Sequence, residues 1–205
     1  MSLIQKARDL YLRYGIRSIT MSDIARELGV SKKTLYQEVS SKEELVKKVF
    51  EFDLEESRNH MIQIQSQSKD AIEQMVQTTI FLMQRMRKLS PVTHYDLQKY
   101  YGPLWSDLES KHLEFIYEFL KKNITWGKSM GLYRENIDAE IIARFFIHKA
   151  SMAVDEVYFP LETYQRDDLL MQLLSYHING ITTPQGVLLW KSYQSIITKE
   201  QKKGK

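Results

Sequence analysis

Between residues 20 and 42 the chain reads Thr-Met-Ser-Asp-Ile-Ala-Arg-Glu-Leu-Gly-Val-Ser-Lys-Lys-Thr-Leu-Tyr-Gln-Glu-Val-Ser-Ser-Lys. Lys32, Lys33 and Lys42 carry charge that neutralises phosphate, and Gln37 and Thr34 carry donors and acceptors that fit base edges or phosphate oxygens. Tyr36 adds a flat ring and a hydroxyl that can reach the sugar-phosphate backbone or a thymine methyl. Leu35 and Val39 repeat at i, i+4, so on a helix they share one inward stripe, and Lys32, Lys33, Thr34, Tyr36 and Gln37 are left pointing out. Thr20, Ser22 and Ser31 join them as candidate DNA-contacting residues. This is chemistry for gripping a nucleic acid duplex, not for making or breaking bonds.

Two short helices must hold that face. Ile24, Ala25 and Leu28 form the apolar stripe of the first, Thr20 is placed to cap it, and Asp23 is a capping-box partner. Gly29 suits the left-handed backbone that ends a helix before a sharp turn. Ala25 is small enough for a second helix to cross closely, and Val30 is expected to fill the angle between them. Ser31 caps the second helix. Ser41-Lys-Glu-Glu44 reads as a further capping box, whose first turn supplies N–H donors beside Lys42. Any one of these features also fits a plain polar-faced helical pair; together they form a helix-turn-helix, which sets its second helix in a DNA major groove.

The run Ile19-Thr-Met-Ser-Asp-Ile-Ala-Arg-Glu-Leu-Gly-Val-Ser-Lys-Lys-Thr-Leu-Tyr36, with Ser41-Lys-Glu-Glu-Leu45 after it, resembles the tetracycline-repressor-like (TetR) family of bacterial transcription regulators. The leading segment with Ala7, Leu10, Tyr11, Tyr14 and Gly15 is similar to that family's first helix, so the likeness covers roughly residues 3 to 50. Val39 stands where many members carry Phe. Asn179-Gly-Ile-Thr-Thr-Pro-Gln-Gly186 is similar to a segment that follows the last long helix in some members. The resemblance implies an all-α fold, with a DNA-binding domain over 1–48 and a helical ligand-binding and dimerisation domain over 49–205. It further implies a homodimer on a palindromic operator, released by a small molecule, with the helix that starts at Lys42 as the lever between the two parts.

Composition narrows the alternatives. Residues 1–50 hold ten Lys/Arg and six Asp/Glu, against nineteen and twenty in the remainder, so the whole basic excess of this +3 chain lies with the helix-turn-helix. There is no cysteine, which excludes disulfides, thiol catalysis and Cys-type metal sites. Neither a signal peptide nor a membrane-length apolar run is visible, and a cytoplasmic location is expected. Glu109-Ser-Lys-His112 has the E-x-x-H spacing of di-iron bundles, but no second such pair accompanies it. His148 with Asp155 and Glu156 reads as a solvated face. No catalytic motif is found, so neither enzyme activity nor a metal or other cofactor is expected.

The rest reads as helix, with eight Gly and four Pro as its punctuation. Periodicity predicts helices near 2–14, 21–28, 32–38, 42–66, 70–89, 93–100, 105–130, 138–158, 165–180 and 186–199, and a frayed charged tail from Lys199 to Lys205. Aromatic and methionine side chains are abundant beyond residue 80. Each one alone suits core packing, but as a group they suggest an apolar pocket lined by Phe81, Tyr101, Trp105, Phe115, Phe119, Trp126, Phe145 and Met152. The Tyr100–Trp105 segment, broken by Gly-Pro, is the first candidate for its wall. Helices 138–158 and 165–180 are apolar on more than one face. Such faces need a second copy of the chain, or else cover from Val187, Leu188, Trp190, Tyr193 and Ile197. The function expected is a ligand-responsive repressor; the alternative is a DNA-binding scaffold whose body binds a protein.

Overall fold

The structure, a computed structural model, describes residues 2–88 and 90–203. Its helices are α1 (Leu3–Tyr14), α2 (Met21–Leu28), α3 (Lys32–Glu38), α4 (Lys42–Gln67), α5 (Ala71–Lys88), α6 (Pro91–Tyr100), α7 (Gly102–Ser129), α8 (Ala139–Val154), α9 (Arg166–Ile181) and α10 (Pro184–Lys203). The all-α class read from the sequence holds. Residue 89, the expected end of the fifth helix, and residues 204–205 of the charged tail lie outside the described residues.

Contacts group the chain into two units. One unit comprises residues 1–60 and 88–112, and the other residues 61–87 and 113–205. The uninterrupted helices α4 and α7 each contribute residues to both.

The first unit is built on Ala7, Tyr11, Ile16, Ile24, Leu35, Leu45, Val46 and Val49, all buried. α6 is docked on α1 by polar contacts. Thr93 Oγ1 donates to the Tyr11 carbonyl at 2.6 Å, and Ser90 N–H donates to the Leu12 carbonyl at 3.0 Å. The Tyr11 carbonyl also accepts from the Gly15 N–H at 2.9 Å, so Thr93 is its second donor, whereas the Leu12 carbonyl, in the last turn of α1, takes its donor from Ser90. Gly15, at φ 82°, makes the turn that follows, and a Cβ there would come within 2.8 Å of Val92.

The second unit packs Ile72, Met75, Val76, Ile124, Tyr133, Leu174, Ile178, Trp190 and Ile197 together. A small stitch closes it: Arg134 N–H donates to the Ile181 carbonyl at 2.8 Å, and Thr183 N–H donates to the Leu132 carbonyl at 2.9 Å. The Asn179–Gly186 segment is therefore no extended break. Only Thr182 and Thr183 leave the helices, and a Cβ on Gly186 would meet the Leu132 carbonyl at 2.2 Å. Gly127 lies inside α7. The Tyr133 ring lies across it, 2.1 Å from where a Cβ would stand, so no side chain fits there.

Two helix ends depart from expectation for local reasons. α7 starts at Gly102, with only Tyr101 between it and α6, because proline in a first turn sacrifices no hydrogen bond. The Gly-Pro pair is thus a helix start and leaves no gap. α8 stops at Val154, four residues early, where Asp155 turns its carboxylate onto the Val157 N–H at 2.8 Å. Tyr158 and Phe159 therefore lie beyond the helix.

Candidate nucleic-acid interface

α2 and α3 are capped as their sequence demands. The Thr20 hydroxyl accepts from the Asp23 N–H at 3.2 Å, while the Asp23 carboxylate accepts from the Thr20 N–H at 2.9 Å. Gly29 is left-handed at φ 69°, and Ser31 Oγ accepts from the Thr34 N–H at 3.0 Å. Leu35 and Val39 are each 2 % exposed and pack with Ile24 and Ala25. On the other side of α3, Lys32, Lys33, Thr34, Tyr36 and Gln37 are exposed, with Tyr36 at 42 % and the Lys32 ammonium 5.9 Å from its ring centroid. Lys48 donates to the Glu38 carbonyl at 3.4 Å and sets a cation at the end of α3.

Some placements differ from the sequence reading. Val30 is 41 % exposed and does not fill the angle between α2 and α3; its N–H is spent on the Ala25 carbonyl at 3.0 Å, closing the end of α2. The Thr34 hydroxyl is 2.8 Å from Ser31 Oγ, which ties it to the cap. Thr20 donates its hydroxyl to Asp23 at 2.6 Å, whereas Ser22 is exposed. The second capping box is split: Ser41 Oγ accepts from the Glu44 N–H, but the Glu44 carboxylate reaches past Ser41 to the N–H and hydroxyl of Ser40. Lys48 and those two donors hold Glu44 down at a pKa of about 2. Lys42 is half-buried. Desolvation lowers its pKa, and the Asp96 and Glu43 carboxylates oppose that.

One contact set could not be read from spacing. The Arg17 N–H donates to Asp96 at 2.9 Å, and its guanidinium donates to the Tyr100 hydroxyl at 2.8 Å. Its partners lie about eighty residues away, where Asp96 and Tyr100 share one face of α6 at i, i+4. That spacing was the available signal.

Of the eight aromatic and methionine residues proposed for a pocket, Tyr101 and Trp105 belong to the first unit and the other six to the second. Tyr101 and Trp105 pack onto the core of the first unit, with Trp105 edge-on to His94 at 4.7 Å. Phe119 is buried beside Phe115, Phe81 is half-buried, and Trp126 borders a shallow depression along α7. Phe145 and Met152 are 58 % and 42 % exposed on the outer face of α8, because Ala143 and Ile147 already fill its inner face.

A second depression, of about 430 Å³, runs between α8 and α9 and is lined by Phe145, Phe146, Lys149, Leu173, Tyr176 and His177, among others. α10 covers part of α9 through Trp190 and Ile197, yet it leaves Phe145 and Tyr176 open. The His177 ring is buried 4.4 Å from Phe146, and desolvation, with Lys149 nearby, lowers its pKa to about 4. Its folded pKa thus lies below the unfolded value near 6.5, so the unfolded chain binds the extra proton and acid favours unfolding. Stability is expected to fall as pH drops from about 6.5 to about 4, by up to roughly 3 kcal/mol from this group. Urea unfolding at pH 7.5 and pH 5 checks it, and His177→Gln should flatten that difference.

Among the described residues, no three His, Asp or Glu side chains converge as a metal site requires, and no helix is long and apolar enough to cross a membrane.

Residues 3–49 match the family described as bacterial regulatory proteins, tetR family. The HTH-type transcriptional regulator YvaF of Bacillus subtilis (strain 168) is 28 % identical over 177 residues, covering 82 % of this chain and 88 % of that protein. A transcriptional regulator from Cytophaga hutchinsonii ATCC 33406 superposes with a TM-score of 0.74 at 19 % identity, over 88 % of this chain and 97 % of its own. A regulator from Saccharomonospora viridis, solved in complex with choline, does so with a TM-score of 0.64 at 18 % identity, over 88 % and 96 %. The capped α2–Gly29–α3 unit lies within the residues 3–49 that match the tetR family, and the helical fold of the chain is that of the solved regulators.

Proposed function

We propose that the protein is a cytoplasmic repressor that binds a palindromic operator as a homodimer and leaves it when a small apolar or amphipathic effector occupies the body. The observation that carries this is the division of α3 into a buried Leu35/Val39 edge and an exposed Lys32, Lys33, Thr34, Tyr36, Gln37 face. Lys33, Thr34 and Gln37 read base edges, Tyr36 sets the helix in the groove, Lys32, Lys42, Ser22 and Ser31 hold the backbone, and Thr20, whose N–H and hydroxyl both go to Asp23, fixes the start of α2 beside it. Residues 1–48 are the reading head. Residues 49–205 form the responsive part, paired through α8 and α9. An effector that binds better when the two heads are held apart lowers DNA affinity by that difference in binding. The choline complex of the Saccharomonospora viridis regulator supports a small ligand.

The open α8–α9 depression, which is not a closed cavity, gives some support to a second reading in which the body binds a protein. Native mass spectrometry separates the two by the mass that stays bound.

Selection of bound sites from random duplex DNA tests the leading reading. It should enrich an inverted repeat with half-sites about one helical turn, or a multiple of it, apart. Enrichment of no sequence would overturn it.

A further inference from the structure

We propose that α6, which lies outside the matched residues 3–49, extends the DNA interface: Arg17 and Lys99, propped on Tyr100 and Tyr95, form a second clamp on the phosphate backbone beside Lys42. The proposal rests on the DNA-binding reading above and adds a surface to it.

Arg17 stands three residues before Thr20, the cap of α2, and its loop is fixed by its N–H bond to Asp96, a carboxylate only 3 % exposed. The exposed guanidinium stacks on Tyr100 at 4.4 Å from the ring centroid while donating to the tyrosine hydroxyl. A guanidinium held over a ring and on its hydroxyl keeps its other N–H groups for an anion and has given up much of its rotamer freedom already. Lys99 is exposed next to it, with its ammonium 5.0 Å and 5.5 Å from the Tyr95 and Tyr100 centroids.

These cations lie beside the edge of the head proposed above. Arg17 is near enough to Lys42 to depress its pKa. Lys42 opens α4 and Thr20 caps α2. The nearby acids are accounted for: Asp96 is buried on the Arg17 N–H, Asp23 is engaged by Thr20 and Arg26, and Glu43 is exposed. No carboxylate forms an ion pair with the Arg17 or Lys99 side chain among the described residues. Tyr95 and Tyr100, 52 % and 42 % exposed, would be idle apolar surface if they only packed. As platforms for these two cations, they orient charge toward a polyanion.

The test measures affinity of the full-length protein for its selected operator, and for a scrambled duplex, over a range of salt. Lys99→Gln and Arg17→Gln should each weaken binding to both duplexes roughly three- to tenfold, and should flatten the log–log salt slope by about 0.9 for each phosphate no longer neutralised. Arg17→Lys should recover part of the slope. Lys99→Gln changes an exposed helical position, so it reports even if Arg17→Gln loosens the loop, which a thermal melt will show. Wild-type slopes in both Gln variants overturn the proposal. So does weaker operator binding with an unchanged slope, the mark of a purely structural prop. Failure of the wild-type protein to bind either duplex sinks the function itself, and this clamp with it.

Discussion

Replacing Lys33 and Gln37 together with alanine should abolish operator binding and leave a folded protein of unchanged helix content. Both side chains are exposed on α3, on the side away from the buried Leu35/Val39 edge. Alanine is the best helix former, so α3 loses nothing locally. Each base contact is worth about 1–3 kcal/mol, and a dimer presents each one twice, so the loss should exceed roughly 100-fold. Tyr36→Ala should have a similar effect by letting the helix settle wrongly in the groove. Leu35→Ala is the contrast: it empties a site 2 % exposed and should destabilise the head by about 2–5 kcal/mol, losing binding through unfolding. Fluorescence anisotropy with labelled operator, run beside circular dichroism, separates the two routes. Wild-type affinity in the double variant would mean that another surface touches the DNA.

What the sequence disclosed and what it withheld divide along the range of the interactions. Caps, the left-handed Gly29 and the Leu35/Val39 stripe are set within a few residues, so α2 and α3 were legible to the residue. Helix ends were missed where a side chain competed with the backbone, as Asp155 does, or where a proline was taken as a gap when it was a first turn. The burial of single aromatic side chains was not legible. Aromatic content cannot distinguish Phe119, which is buried, from Phe145, which faces outward, because that depends on which face of each helix its neighbours fill. Nor could spacing bring Arg17 to Asp96 and Tyr100, since helix docking between distant segments decides it. The tightness at Gly127 was hidden too, because the ring that fills the space belongs to a residue beyond the following turn.

Phe145→Glu combined with Tyr176→Glu should turn the protein into a monomer and cost most of its operator affinity with α3 untouched. These two side chains are the most open aromatic residues on α8 and α9, at 58 % and 67 % exposed. Ile141 and Met152, 51 % and 42 % exposed, continue the α8 stripe. A row of apolar side chains along one helix pair marks an interaction surface, and α10 covers only the other side of α9. Glutamate is a good helix former and neither position is in the core, so each protomer should still fold. In a symmetric pair, a charge placed on this face meets its own copy or apolar surface, and either is unfavourable. The DNA consequence follows from linkage: two joined heads bind as one, and separating them forfeits an avidity of roughly 10²- to 10⁴-fold. Light scattering after size exclusion reads the mass, and anisotropy on a full operator against a single half-site reads the avidity. A dimer that survives both charges would move the pairing surface off α8 and α9. A monomer that keeps full affinity for the whole operator would show that pairing is not what joins the half-sites.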